Sequence, residues 1–107
     1  FDTSVEIREF NPNDVREVIN IDAKFPPRSR PPITAERASE LHKKSSNGCW
    51  VAVKHGEVVA ALFGELRGKT YVIRFLIIHP DCLGEGIASE LIEHAMHATK
   101  AESVAKI

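Results

Sequence analysis

The residues with the clearest chemical capability lie in a short glycine-containing segment, residues 77–88. The apolar pair Ile77 and Ile78 predicts the end of a buried strand, and an amphipathic helical pattern starts at Ile87. Between them, Gly84 and Gly86 let a ligand approach the main chain closely. The first N–H groups of a helix have no partners within the helix, and the helix dipole adds partial positive charge there. The segment is therefore suited to bind a phosphate or pyrophosphate through its main chain.

Two familiar phosphate-binding motifs do not fit this segment. A P-loop requires Gly-Lys-Ser/Thr, whereas Gly86 is followed by Ile87 and Ala88. The dinucleotide-binding fingerprint requires a third glycine where Ser89 stands, and it opens a parallel sheet directly after a strand. Taken alone, the Gly-x-Gly pair favours an ordinary loop whose glycines only start a helix.

The N-terminal part of the chain predicts a strand and two helices. Residues 5–10 alternate between apolar and polar types, as in a half-buried strand. Asn11 and Pro12 form a helix start, and the helix should end near Phe25, before two prolines. Its predicted apolar face consists of Val15, Val18, Ile19 and Ala23. Thr34 is the expected cap of a second helix.

A basic, proline-rich connector, residues 25–32, separates these two helices. Repeated prolines favour polyproline geometry, which makes the segment stiff. Two interpretations stay open at this point. The connector is either a rigid spacer or part of the lining of a substrate cleft.

The remaining elements predict an α/β fold with a mixed, mostly antiparallel central sheet. Residues 49–53, 58–66 and 70–78 form three strands, with a tight turn at His55 and Gly56. Continuous apolar runs indicate that helices cover both faces of the sheet. The last strand, residues 103–107, follows a crossover helix and should lie parallel to the strand before it.

In this context the glycine segment resembles the acyl-CoA-binding motif of the GNAT superfamily of N-acetyltransferases. That motif, Arg/Gln-x-x-Gly-x-Gly/Ala, falls on residues 83–88, after Ile78-His79-Pro80-Asp81. The resemblance covers the whole chain, because the strands and helices also occur in the family's order. It implies a single GNAT-like domain, residues 1–107, that stops after the strand following the glycine-loop helix.

The resemblance also implies a co-substrate, acetyl-CoA, and the positions that would hold it. Main-chain groups of Leu76, Ile77 and Ile78 would pair with the pantetheine arm like an added strand. The pyrophosphate would lie on the loop and first helical turn, which comprise Leu83, Gly84, Glu85, Gly86, Ile87, Ala88 and Ser89. An amine acceptor would arrive from the opposite side. A protein N-terminus, a lysine, a polyamine and a small-molecule drug all stay open as acceptors.

Several residues depart from the family's pattern. Leu83 replaces an Arg or Gln donor, Glu85 adds negative charge, and no Lys or Arg lies between Arg74 and Lys100. The family's usual catalytic Tyr would follow residue 107, and Tyr71, the only tyrosine, begins a strand. No catalytic residue is therefore assigned, although Glu65 and His79 stand at strand ends where a base could act. The alternative function is a degenerate, non-catalytic CoA-binding or assembly module.

Composition excludes several other classes of function. The 14 basic and 15 acidic residues give a net charge of -1, without the basic excess expected for binding nucleic acid or an anionic membrane. Cys49 and Cys82 are too few for a disulfide scaffold or a cysteine-based zinc site, which favours reduced thiols and a cytoplasmic protein. His94 and His97 lack a third ligand nearby, so no metal is expected. The unpaired edge of the last strand predicts further chain or a homodimer.

Overall fold

The computed structural model describes residues 5–24 and 33–106, apart from the side chains of Ser46 and Lys106. The five strands are β1 (Glu6–Glu9), β2 (Cys49–Lys54), β3 (Glu57–Arg67), β4 (Thr70–Ile78) and β5 (Ser103–Lys106). The three α-helices are α1 (Val15–Ala23), α2 (Ala35–Lys44) and α3 (Ile87–Thr99). Short 3-10 turns span Pro12–Asp14, Ser46–Gly48 and Pro80–Cys82. The proline-rich connector, residues 25–32, lies outside the described residues.

The strands form one sheet in the order β1-β2-β3-β4-β5. The first three pairings are antiparallel, and β5 lies parallel to β4, with Thr70 opposite Ser103 and Ile73 opposite Lys106. The predicted mixed, mostly antiparallel sheet is thus confirmed, including the parallel last strand. The β2–β3 turn has positive φ angles at His55 (54°) and Gly56 (79°), as the twist of a tight hairpin requires.

Helices cover both faces of the sheet, as the continuous apolar runs indicated. Helices α1 and α2 pack on one face, where the buried cluster is centred on Val18, Leu41, Val51, Phe63 and Phe75. Helix α3 packs on the other face, with a cluster centred on Leu62, Tyr71, Ile73, Ile87 and Leu91.

The predicted apolar face of α1 is partly wrong. Val18 is fully buried, but Ala23 is exposed, and Ile21 and Asp22 are buried instead. On the helix, Ile21 and Asp22 lie within about 60° of Val18, whereas Ala23 lies about 140° away, so the buried face is centred on Val18. The buried Asp22 carboxylate accepts the Ile33 N–H at 2.8 Å. This bond ties the end of α1 to the residue that follows the connector.

One irregularity in the sheet has no signal in the sequence. Phe63 pairs with Phe75 but Gly64 pairs with Ile73, so β4 carries one extra residue, Arg74. Such a bulge bends its strand and increases the local twist. It lies where the pairing with β5 stops, since Ile73 is the last residue of β4 that faces a described residue of β5.

Candidate functional site

The glycine segment leads from the end of β4 into α3 through a tight loop. His79 begins the 3-10 turn, and its Nδ1 accepts the N–H of Asp81 at 3.0 Å. Gly84 and Gly86 then adopt left-handed conformations, with φ of 84° and 79°. An ideal Cβ on either glycine would have no neighbour within 4 Å, so backbone geometry and not crowding demands glycine there.

The N-terminus of α3 is exposed through this loop and has no side-chain cap. Gly86 is the N-cap residue and offers no side chain to the first N–H groups. The first bond of the helix runs from the Glu90 N–H to the Gly86 carbonyl at 3.3 Å. The N–H groups just before it therefore belong to the set that a helix leaves without internal partners. These N–H groups, at Ile87, Ala88 and Ser89, are among the predicted pyrophosphate ligands.

The side chains of the predicted loop residues have different environments. Leu83 is 59% exposed, and Gly84, Glu85, Gly86 and Ser89 are also exposed. Ile87 is buried in the α3 core, so only its main chain can contact a ligand. Ala88 is half-buried. The structure thus brings the predicted residues together on one surface, with main-chain groups as their chief donors.

The edge of β4 next to the loop is open among the described residues. The His79 N–H donates to the Val59 carbonyl at 2.7 Å, which fixes the hydrogen-bonding phase of the β3–β4 ladder. Because main-chain groups alternate along a strand, those of Ile77 point toward β3, whereas those of Leu76 and Ile78 point to the open edge. Of the three predicted pantetheine positions, the main-chain groups of Leu76 and Ile78 therefore face the open edge, and those of Ile77 do not.

A cation that the sequence did not indicate lies at this loop. The Lys54 Nζ is 3.1 Å from the Glu85 Oε1, although the two residues are 31 apart in the chain. The Lys54 side chain is only 18% exposed, and that of Glu85 is 38% exposed. The segment between Arg74 and Lys100 contains no Lys or Arg, and the fold supplies this cation from another strand. Strand pairing could have found Lys54, since the β2–β3 hairpin and the β3–β4 register bring its end of β2 to the level where β4 ends.

Glu65, one of the two candidate bases, is held in an ion-pair cluster. Its Oε1 accepts hydrogen bonds from Arg74 at 2.8 Å and from Arg67 at 2.9 Å, and its side chain is 15% exposed. These bonds, that of Arg74 above all, lower the pKa of the Glu65 carboxyl below its usual value. A carboxylate stabilised in this way is a poor proton acceptor. Its hydrogen bond with Arg74 instead fixes the side chain of the bulge residue.

His79, the other candidate base, has its Nδ1 occupied by the Asp81 N–H. In the neutral ring the proton then lies on Nε2, so neither nitrogen offers a lone pair to an amine. The ring is 24% exposed and caps the 3-10 turn. Its local role is to shape the loop.

The remaining reactive side chains lie in the core. Tyr71 is fully buried and donates to the Gly48 carbonyl, and burial raises the pKa of its hydroxyl. Burial likewise raises the pKa of the Cys49 thiol to about 12 and raises that of Cys82. Thiols in this state are inert, because the thiolate is the nucleophile. These three groups are buried and contribute to packing.

Neither a metal centre nor a membrane span is found among residues 5–24 and 33–106. No described group of three His, Cys, Asp or Glu side chains could hold an ion. The His94 Nδ1 lies 2.9 Å from the Glu90 carbonyl, and the ring packs against the half-buried Trp50. No helix in this part of the chain is long and apolar enough to cross a membrane.

The family model of the acetyltransferase (GNAT) family matches residues 15–107. The chain belongs to this GNAT family. A comparison with curated proteins finds no match. The chain is nevertheless similar in fold to many solved GNAT structures, and this confirms the resemblance that the glycine segment suggested.

Three such structures illustrate the likeness. Ard1 from Thermoplasma volcanium superposes with a TM-score of 0.76 at 21% identity, over 90% of this chain and 64% of its own. Diaminobutyrate acetyltransferase EctA from Paenibacillus lautus, in complex with L-2,4-diaminobutyric acid and coenzyme A, gives 0.72 at 17% identity, over 89% and 58%. The ribosomal-protein-S18-alanine N-acetyltransferase from Escherichia coli gives 0.70 at 12%, over 91% and 60%. The chain therefore spans 58–64% of the length of these GNAT structures.

Proposed function

We propose that this GNAT chain binds acetyl-CoA at the β4 edge and the glycine loop and transfers the acetyl group to a primary amine. The single observation that carries the proposal is a juxtaposition. The outward main-chain groups of Leu76 and Ile78 lead directly to the uncapped N-terminus of α3. One surface thus offers strand-like pairing for an amide-containing arm and helix N–H groups for a phosphate.

The two halves of this surface match the two halves of coenzyme A. Pantetheine contains two amides, which can pair with the edge of β4 as an added strand would. The pyrophosphate is anionic and suits the left-handed loop at Gly84 and Gly86, where nothing lies within 4 Å of an added Cβ. The whole set proposed for the donor is Leu76, Ile77, Ile78, Leu83, Gly84, Glu85, Gly86, Ile87, Ala88 and Ser89. Ile77 belongs to it through its position in the strand and not through a main-chain bond.

The proposed reaction is direct attack of a neutral amine on the thioester carbonyl. The N–C bond forms as the C–S bond breaks, the amine loses one proton to solvent, and CoA leaves as a thiolate that takes up a proton. The protein's part is to orient the thioester and to stabilise the oxyanion with main-chain N–H groups. No general base is assigned, because Glu65 is paired with two arginines and His79 has no lone pair to offer.

The second candidate function is a non-catalytic CoA-binding or assembly module. Leu83, which is exposed and carries no donor, and the buried hydroxyl of Tyr71 favour it. The transferase and the CoA-binding module both require CoA to bind and differ only in turnover, whereas an assembly module requires no CoA. We further propose that residues 1–107 form one GNAT domain that acts in the cytoplasm.

Two measurements test these proposals. A ligand that binds only the folded state raises the melting temperature, so CoA and acetyl-CoA should each do so in low salt. Release of CoA thiol is then followed with acetyl-CoA and a panel of peptides, polyamines and aminoglycosides. Binding with turnover supports the transferase, and binding without turnover on any acceptor supports the non-catalytic module. No shift in melting temperature at millimolar CoA contradicts the transferase and the CoA-binding module and leaves only the assembly module.

A further inference from the structure

We infer that Lys54 is the cation of the pyrophosphate site and replaces, from a different strand, the charge that Leu83 lacks. The inference rests on the proposed function, because it assigns a residue to the proposed CoA site. It adds a binding residue from β2, an element that the glycine segment does not include.

The position of Lys54 follows from the sheet. Lys54 is the last residue of β2 and pairs with Glu57 across the hairpin turn. The same sheet brings Ala60 of β3 opposite Ile78, the last residue of β4. The loop that follows β4 therefore starts at the same end of the sheet as Lys54, with β3 between the two strands, and the Lys54 side chain reaches Glu85.

The Lys54 side chain is already ordered toward the loop. Only 18% of it is exposed, and its Nζ lies 3.1 Å from Glu85 Oε1. An ammonium group has three N–H donors, and Glu85 accepts one of them in this structure. Ordering a lysine side chain costs rotamer entropy, so a lysine held in place loses less when an anion arrives.

Glu85 has a definite part in this arrangement. In the free protein its carboxylate compensates the charge of Lys54, whose side chain is largely buried. Without this partner the buried charge would be unfavourable. A pyrophosphate on the α3 N-terminus would meet the same ammonium group and would repel the carboxylate. Glu85 thus holds Lys54 in place and also competes with the ligand for it. Removing the Glu85 charge should therefore strengthen binding, whereas removing that of Lys54 should weaken it.

A purely structural ion pair would behave differently. A partly exposed pair of this kind adds little to stability, and both single substitutions would then change the melting temperature slightly and leave affinity alone. Opposite effects of the two substitutions on affinity are expected only if the ligand is an anion that meets Lys54.

The test compares four variants with the wild type by calorimetric titration of CoA, dephospho-CoA and S-acetylpantetheine. Lys54→Met keeps the length of the side chain and removes its charge, Lys54→Arg restores a charge, and Glu85→Gln removes the competing carboxylate. The matched control is Lys69→Met, because Lys69 also pairs with a glutamate, Glu102, at 3.4 Å, but at the β3–β4 hairpin end of the sheet.

The expected result has three parts. Lys54→Met weakens CoA and dephospho-CoA about 10-fold or more, because a charge-assisted contact to phosphate is lost. Glu85→Gln strengthens both ligands, and Lys54→Arg restores most of the affinity that Lys54→Met loses. S-acetylpantetheine, which lacks the pyrophosphate, binds the wild type and all four variants with equal affinity. CoA binds the Lys69→Met control as tightly as it binds the wild type.

The results that overturn the inference are separable from failure of the proposed function. If the wild type binds CoA and Lys54→Met binds it equally well, Lys54 is not a ligand and the CoA site stands without it. If Lys54→Met weakens CoA but not dephospho-CoA, Lys54 contacts the 3′-phosphate, and its assignment to the pyrophosphate is wrong. If the wild type itself binds none of the three compounds, the proposed CoA site and the inference both fall.

Discussion

Substituting Gly86 separates the shape of the loop from its use as a binding surface. Gly86 has a φ of 79°, a conformation that costs an L-residue about 1–2 kcal/mol. An added Cβ meets nothing within 4 Å, so Gly86→Ala adds strain but no clash. In a domain of this size that loss corresponds to a decrease in melting temperature of roughly 4–16 °C.

Gly68 provides a matched control for this strain. It also has a positive φ, 64°, and an added Cβ there also meets nothing within 4 Å. Gly68 lies in the turn before Thr70, and the eight residue steps of β4 from Thr70 to Ile78 span about 26 Å. Gly68→Ala should therefore lose a similar amount of stability at a site remote from the glycine loop.

Affinity for CoA should distinguish the two variants. A methyl group at residue 86 stands where the pyrophosphate would approach the main chain, so Gly86→Ala should weaken CoA at least 10-fold, a loss of about 1.4 kcal/mol. Gly68→Ala should bind CoA as the wild type does. Both quantities come from urea unfolding and calorimetric titration at a temperature where all three proteins are folded. Equal CoA affinities for the two variants, at equal losses of stability, would refute the placement of the pyrophosphate at residue 86.

Three further predictions concern the loop and the core. Leu83→Arg should increase the affinity for CoA about 10-fold, because it adds a charged donor at a residue that is 59% exposed. Leu66→Arg, at a residue of β3 that is 39% exposed, should leave the affinity unchanged, and titration of CoA checks both variants. Gly64→Ala should destabilise the fold by about 1–3 kcal/mol or more in urea unfolding, because its Cβ would lie 2.5 Å from the Tyr71 ring. Burial would raise the pKa of the Asp14 carboxyl, but its hydrogen bonds from Arg8 and Asn11 outweigh burial and lower that pKa. The ionised carboxylate therefore stabilises the fold above the ordinary pKa of 3.8, and this stabilisation is lost as the pH falls through the lower pKa of the folded state. Asp14→Asn should therefore be less stable than the wild type near neutral pH and should lose less stability on acidification, in unfolding measured from about pH 6 to pH 2; parallel pH profiles would contradict this.

The order and type of the elements could be predicted because the chain marks their ends with strong local signals. Thr34 caps α2 by accepting the Arg37 N–H at 3.1 Å, and the positive φ angles of His55 and Gly56 make the predicted hairpin turn. These devices act within four residues, so the local sequence contains all the information they need. The buried face of α1 was harder to predict, because it includes the charged Asp22, whose carboxylate accepts the N–H of Ile33 outside the helix.

The features that the sequence did not predict depend on how neighbouring strands pair. The extra residue Arg74 in β4 exists only relative to the register of β3, and a periodicity within one strand does not reveal it. Glu65 stands at a strand end in the sequence, and only the paired hairpin brings Arg74 to its carboxylate. Both cases concern the register between two strands, which the pattern of one strand leaves unspecified.

The electrostatics of the glycine loop show the same dependence and change the balance between the two candidate functions. From the sequence, Leu83 and Glu85 both weaken the pyrophosphate site, one by lacking a donor and the other by adding a negative charge. In the folded chain Lys54 lies 3.1 Å from Glu85 and compensates its charge, so Glu85 weakens binding less than the sequence alone indicates. The Glu85 charge is unfavourable for a phosphate within the loop alone, but it is here one half of an ion pair with Lys54. Its effect on a phosphate depends on which of the two side chains lies nearer to that phosphate. Because Lys54 is the more buried partner and can donate to two acceptors at once, the pair is better suited to admit an anion than to exclude one.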